Sequence, residues 1–315
     1  MPALYPLLLE PDFRERVWGA RDLAPIYDRH VEPGEQPIGE AWLTGDDCRV
    51  TNGPLRGRTL AELVREYGRA LVGEQAPEPD RFPLLIKFLF PRDKLSVQVH
   101  PDDETARRIG QRCGKTECWY VLDAEPGARV AVGLKPGTTR AEFEQAIHET
   151  RAEELLNWLE IQPGEMIYVD AGTVHAIGPG SILVETQQNS DTTYRLYDYG
   201  RPRELHIREG LAAIKERTRA GKIQSKCVNG HLRMIESRCF ILDKLAFEKD
   251  QLYTGTHAPH TVQILVAVDG CGILECPGVA PLTFARGDAI VIPASLPTFR
   301  LRPQWNLEVL RASLP

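Results

Sequence analysis

The chain has 315 residues, enough for two domains or one large double-lobed domain, and its 42% hydrophobic and 26% charged composition is that of an ordinary globular protein with a sizeable core. A formal net charge of -6 argues against bulk binding to nucleic acid or an anionic membrane, yet leaves room for a local basic pocket for a small anion. No run of 18 apolar residues is present to span a bilayer, "MPALYPLLLEPDF" lacks the basic start of a signal peptide, and seven scattered cysteines without a C-x-x-C pair read as reduced thiols in the cytoplasm.

In chain order, the first helix signal is "RTLAELVREYGRALV". Thr59 with Glu62 three residues on is a capping box, and Leu60, Leu63, Val64, Tyr67 and Leu71 keep the helical period. Short strands are predicted at 83–90, 95–100, 117–122 and 128–132. A second capping box, Thr139 and Glu142, predicts a helix over roughly 139–160 with a break near Thr150. Strands follow at 166–170, 181–187 and 193–198. The charged stretch "HIREGLAAIKERTRAG" predicts a third helix over 206–221, stopped by Gly221. Residues 218–235 are polar and aperiodic and read as a link between two lobes. The last strands are expected at 262–268, 288–292 and 307–311. Strands this short, punctuated by Gly, Pro and Asp, predict an all-β sandwich or barrel with inserted helices.

A weak internal repeat supports two lobes. "PGEMIYVDAGTVHAI" (163–177) and "RGDAIVIPASLPTFRL" (286–301) both read glycine, acid, apolar strand, turn, second strand. Gly164 aligns with Gly287, Asp170 with Pro293 and His175 with Thr298.

The candidate chemistry begins at "LSVQVHPDDETA" (95–106). Gln98 and His100 are two apart on one strand, so their side chains project to the same side. His175 sits early in the strand after the Asp170–Gly172 turn, and Glu117 begins the strand "ECWYVL". Two imidazoles, a carboxylate and an amide oxygen form a mixed N/O donor set that suits zinc and leaves room for water or substrate. On the residues alone a metal site and a set of ordinary hydrogen-bonded rim histidines both remain open.

Several strings carry a resemblance. Gly164 to His175 resembles the second motif of the cupin fold, and the segment from Gln98-x-His100 to Glu117 resembles its first. "IGEAW", "NGPLRGRTLAELV", "FPLLIKFL", "LSVQVHPDD", "GKTECWYVL", "DAGTVHAIG" and "ETQQNSDTTYRLYDYGR", in this order, resemble the type I mannose-6-phosphate isomerases, especially their short bacterial subgroup. The likeness is nearly continuous from about residue 14 to 210 and looser beyond. Phe90-Pro91 and "WLTGDDC" depart from the family pattern without touching a ligand position.

The resemblance implies a two-lobed cupin, all-β with inserted helices. Its catalytic lobe would be residues 1–235, and residues 236–315 a second lobe without a metal. It implies one zinc ion on Gln98, His100, Glu117 and His175, and a small sugar phosphate as partner. The reaction would be aldose–ketose isomerisation between mannose 6-phosphate and fructose 6-phosphate. Arg195 falls on the family's active-site arginine, Glu185 on a carboxylate suited to proton transfer, and Lys115 beside the pocket. Lys115 or Arg201 would supply charge for the phosphate. Each has an ordinary alternative: Glu185 a strand-end carboxylate, Arg195 a partner of Asp191 or Asp198, Lys115 a solvated turn residue. A related zinc isomerase on another sugar phosphate, a non-catalytic sugar-binding cupin and an iron oxygenase are the competing functions. The pair His257 and His260 reads as loop histidines, "GCGILEC" as a strand with a glycine turn, and His206 as a helix cap.

Overall fold

In the computed structural model the described residues are 2–256 and 261–315. His257 and His260 lie outside them. The described residues are all-β with five short α-helices and form two units, each built from a larger and a smaller antiparallel sheet.

The seven-stranded sheet of the first unit runs, edge to edge, Gly221–Ile223, Met166–Val169, Glu117–Ala124, Ser181–Gln188, Leu84–Leu89, Ile38–Trp42 and Asp12–Ala20. Facing it are Tyr194–Tyr197, Val97–Val99, His175–Ile177, Arg129–Leu134 and Leu156–Glu160. Period-two alternation decides what each face meets. On Glu117–Ala124, Trp119 and Val121 fill the interior between these two sheets, together with Val130, Ile167, Ile177 and Leu183. Cys118 and Tyr120, on the opposite face, join a larger core.

That larger core lies between the two units. It packs Ile86, Phe88 and Val184 of the first against Ile264, Val266, Val291 and Leu310 of the second. The second unit's seven-stranded sheet runs Leu7–Leu9, Ala289–Ile292, Gln263–Asp269, Leu307–Ser313, Ile241–Phe247, His231–Glu236 and Lys226–Val228. The N-terminal strand is thus an edge strand of the C-terminal unit, Leu8 opposite Ile290. The partner sheet is Tyr253–Thr256, Thr298–Pro303, Cys271–Glu275 and Leu282–Ala285. The stretch read as a link carries three strands: Gly221–Ile223 pairs with the first unit, while Lys226–Val228 and His231–Glu236 pair in the second.

The internal repeat corresponds to equivalent pieces. Gly164 and Gly287 both take the left-handed φ that glycine tolerates, 88° and 92°. Met166–Val169 and Ala289–Ile292 follow in the larger sheets, then His175–Ile177 and Thr298–Pro303 in the smaller ones.

Helix lengths differ from expectation in instructive ways. Thr59 and Thr139 both form the expected capping boxes. The first helix is interrupted at Gly68 (φ 50°), giving Leu60–Tyr67 and Arg69–Val72. The second covers only Arg140–His148. Thr150, at φ 59°, breaks the chain where a break was expected, but residues 156–160 then pair as a strand with Arg129–Leu134. The third stops at Ala213, because Lys215 N–H turns aside to the Gly172 carbonyl and residues 221–223 pair with Met166–Tyr168. One helix was not anticipated: Asp102, directly after the Gln98–His100 strand, caps Asp103–Arg108 through Thr105 N–H at 2.9 Å. No described helix is long and apolar enough to cross a membrane.

Candidate active site

Register builds the site from two rows of side chains. In the larger sheet of the first unit Glu117 stands opposite Gln187 and Val169, and one pleat along, Glu185 stands between Lys87 and Trp119. In the smaller sheet His175 stands opposite Gln98 and Val132, and Gln98 opposite Arg195. Directly opposed residues share a face. Gln98, His175 and Arg195 therefore lie on one face, with His100 two residues from Gln98. Val97 and Val99 point the other way into a separate apolar cluster with Phe143 and Leu196.

Across the interior, His100 Nε2 is 3.4 Å from Glu117 Oε2 and His175 Nε2 is 3.5 Å from Glu117 Oε1. All three residues are fully buried. Backbone carbonyls behind the rings fix which nitrogen carries the hydrogen. His100 Nδ1 lies 3.0 Å from the Thr192 carbonyl and His175 Nδ1 2.9 Å from the Thr173 carbonyl. A carbonyl only accepts, so each Nδ1 carries the hydrogen and each Nε2 offers a lone pair.

This set fits a metal ion. Two donors about 2.0–2.1 Å from a tetrahedral centre stand about 3.3 Å apart, close to the 3.4 and 3.5 Å that separate each imidazole from a Glu117 oxygen, and all three ligand atoms lie within 4.8 Å of one another. Both Glu117 oxygens and His175 Nε2 are buried without a hydrogen bond, a costly state for a carboxylate unless a cation faces it. The Lys115 ammonium, 3.1 Å from both Glu117 Oε2 and His100 Nε2, supplies charge to Oε2 but no directed hydrogen bond. Among the described residues this is the one group of three histidine, cysteine or acidic side chains close enough to share an ion.

Burial and neighbouring charge set the protonation states. Burial, reinforced by the Lys115 charge, pushes His100 down to about 3, and burial lowers His175 as well. Both imidazoles are neutral at pH 7, so their contacts with Glu117 are not salt bridges. Burial alone would raise Glu117, but the Lys115 charge outweighs it and holds the carboxyl well below the usual range. Glu185 goes the other way: burial and the charge of Glu117 raise it, against Lys87 and Lys115.

Of the other residues singled out in the sequence, Lys115 lies in the cluster, with Glu185 Oε1 4.0 Å from its ammonium. Arg195 joins the row through Gln98; its Nη1 donates to the Glu204 carbonyl at 2.8 Å and its Nε is buried without a partner. Arg201 is turned to Asp198, Asp93 and the Lys94 carbonyl, and none of these contacts is to the histidine–glutamate cluster. His206 makes no helix cap with its side chain; its Nδ1 accepts Arg195 N–H at 3.3 Å.

Sequence reasoning missed three residues here. Lys87 is buried 3.1 Å from Glu185 Oε1, and its own shift is upward because Glu185 and Glu40 outweigh burial. Glu40 accepts from Trp42 Nε1 at 2.7 Å and Arg16 at 2.9 Å, and burial is outweighed by Lys87 and Arg16, so its carboxyl is lowered. Trp119 Nε1 donates to Glu185 Oε2 at 3.2 Å. The available signal was a single charge within an otherwise apolar strand, as in "LLIKFL" and "IGEAW".

The fold and this cluster define a two-barrel cupin whose N-terminal unit carries a buried donor set able to hold a metal ion. Residues 7–136 match the family model described as phosphomannose isomerase type I, catalytic domain. The mannose-6-phosphate isomerase ManA of Bacillus subtilis is 43% identical over 221 residues, 67% of this chain and 68% of that protein. The putative mannose-6-phosphate isomerase YvyI of the same organism is 32% identical over 96% of this chain and 98% of its own length. A crystal structure of the mannose 6-phosphate isomerase from Bacillus subtilis superposes with a TM-score of 0.86 at 31% identity, covering 98% of this chain and 99% of that one. The chain belongs to the type I mannose-6-phosphate isomerase family.

Proposed function

We propose that this chain interconverts mannose 6-phosphate and fructose 6-phosphate with one zinc ion, through an enediolate of the opened sugar. The observation that carries the reading is the buried His100–Glu117–His175 cluster in a member of this family, with His175 Nε2 and both Glu117 oxygens left without a hydrogen bond and the His100 Nε2 lone pair facing Lys115 and Glu117. Gln98, opposite His175, completes the proposed donor set. The proposed catalytic lobe is the unit that carries this cluster; Leu7–Leu9, Lys226–Val228 and His231–Glu236 pair in the other unit's sheet, where the described residues hold no such cluster.

The reaction moves a proton between C1 and C2. A bound zinc ion would polarise the sugar oxygens and share the negative charge that develops on them. Glu185 is the proposed base. Its buried carboxylate is more basic than an exposed one, because burial and Glu117 disfavour its charge. The Trp119 N–H on Oε2 and the Lys87 ammonium at Oε1 hold the carboxylate in one orientation. Lys115 supplies fixed positive charge next to the oxygens of the substrate, and Arg195 and Arg201 supply guanidinium groups for its phosphate or hydroxyls.

The test uses the protein stripped by a chelator and then reloaded with zinc, with fructose 6-phosphate formation from mannose 6-phosphate as readout. Turnover should vanish on stripping and return on reloading. Absence of turnover with every metal tried would overturn the enzyme reading; undiminished turnover after thorough stripping would overturn the role of zinc.

A further inference from the structure

The loop that follows the strand of Arg195 is held by charge. Between Gly200 and Leu205 no side chain is buried, and Leu205 is 42% exposed, so apolar packing does little to fix this span. At its start sits Asp198, only 3% exposed. Arg203 grips it as a fork: Nε donates to Oδ2 and Nη2 to Oδ1, both at 2.6 Å. Arg201 Nη2 adds an ion pair to Oδ1 at 2.9 Å and donates to the Lys94 carbonyl at 2.7 Å, tying the loop to the chain that enters the Gln98–His100 strand.

The far end of the same loop closes on Arg195. His206 N–H donates to the Arg195 carbonyl at 2.7 Å, Arg195 N–H to His206 Nδ1 at 3.3 Å, and Arg195 Nη1 to the Glu204 carbonyl at 2.8 Å. Two guanidinium groups are thereby held on one buried carboxylate, and the third, that of Arg195, is bonded to the loop they hold. Without the carboxylate, Arg201 and Arg203 would repel each other and Arg195, and the span that carries Glu204 and His206 would lose its anchor.

We infer that Asp198 is a positioning residue that fixes the guanidinium of Arg195 through its fork with Arg203 and its pair with Arg201. The inference rests on the role proposed above for Arg195. Both Asp198 carboxylate oxygens are engaged by Arg203 and Arg201, so it acts through them. It sets where the loop's carbonyl at Glu204 stands, and a guanidinium displaced by an ångström loses much of its value to a reacting ligand.

A double-mutant cycle on the zinc-loaded protein tests this, with kcat and KM for mannose 6-phosphate as readouts. Asp198→Asn keeps the shape and removes the charge. Alone it should lower kcat/KM on the order of ten- to a hundredfold, with the loss divided between kcat and KM as in Arg195→Ala. In the Arg195→Ala background the same change should cost several-fold less than in the parent, since the group it positions is gone and only its hold on Arg201 remains. Should Asp198→Asn lower the melting temperature enough to compromise folding, Arg203→Lys carries the same cycle, keeping the charge and losing the fork. A full-sized effect in the Arg195→Ala background overturns the inference while leaving Arg195 in its role, and so does parental activity of Asp198→Asn. Parental activity of Arg195→Ala overturns the role of Arg195 itself and the inference with it, recognisable from that single variant.

Discussion

Glu185 meets opposing demands. Burial and the Glu117 charge favour its neutral form, while Lys87 at 3.1 Å and Lys115 at 4.0 Å favour its charged form. As the proposed base it must be ionised to act. The acid limb of the kcat/KM profile should therefore lie above the ordinary glutamate value of 4.5, with activity falling as pH drops through the raised pKa. Replacing Lys87 by Met deletes a charge that lowers this pKa, so the limb should move to higher pH, and activity lost at pH 7 should partly return under alkaline conditions. A limb that stays put, or moves to lower pH, removes Lys87 from this role. Glu185→Gln should cut kcat by about 10²–10⁴ with zinc content and melting temperature retained, the range expected for losing a positioned base; near-parental kcat puts the base elsewhere. At this scale the sequence was legible where period-two geometry acts alone. Gln98 and His100 had to share a face. That Glu117 and His175 stand close to His100 depends on pairings across some 17 and 75 residues of chain, which no local pattern displays and only the family resemblance supplied. Lys87 stayed hidden because its charge in "LLIKFL" is explained only by Glu185, which lies 98 residues further along the chain.

Among the elements, the turn from Asp170 to Thr173 links more to the site than its length suggests. Gly172 N–H donates to the His100 carbonyl at 2.9 Å, and its own carbonyl accepts Lys215 N–H at 2.9 Å. Its φ of 93° is in the glycine region, and a Cβ there would meet Lys215 Cγ at 2.7 Å and the Ala213 carbonyl at 3.2 Å. Gly172→Ala should thus cost about 1–3 kcal/mol through backbone strain and displacement of Lys215. It should also weaken zinc retention, because the turn leads directly into His175. Thermal melting of the metal-free protein reports the first effect and competition with a chromogenic chelator the second; unchanged retention would detach this turn from the metal centre. The same contact accounts for the shortened third helix. "HIREGLAAIKERTRAG" has the composition to continue, and tertiary bonding at Gly172 diverts it at Ala213. The capping boxes at Thr59 and Thr139 were readable because a cap is a local hydrogen-bond pattern. Residues 156–160 were not, because their strand state is set by Arg129–Leu134 rather than by their own composition.

For the whole molecule, the decisive feature is that the largest core belongs to both units. Ile264 is fully buried in the second unit's sheet, and the same core contains Ile86, Phe88 and Val184 from the strands that hold Lys87 and Glu185 on their other face. The strand Leu7–Leu9 adds a covalent link, since the chain's first strand completes the last unit's sheet. Two-lobed character could be read from the repeat at 163–177 and 286–301, but this exchange of the N-terminal strand could not, because "LLL" carries no mark of its partner. The shared core predicts one cooperative unfolding event. Ile264→Ala should cost about 2–5 kcal/mol and lower a single melting transition of the entire chain. The protein carries its own reporter for this. Of its five tryptophans, Trp18, Trp42, Trp119 and Trp158 lie in the sheets of the first unit, and Trp305 is an exposed residue of the second. Tryptophan fluorescence therefore follows the first unit, while far-ultraviolet circular dichroism follows both. In Ile264→Ala the two signals should shift down together and remain superimposable. If the fluorescence midpoint stays at the parental temperature while the dichroism splits into two steps, the units unfold independently and the core between them does not couple the site to the C-terminal barrel.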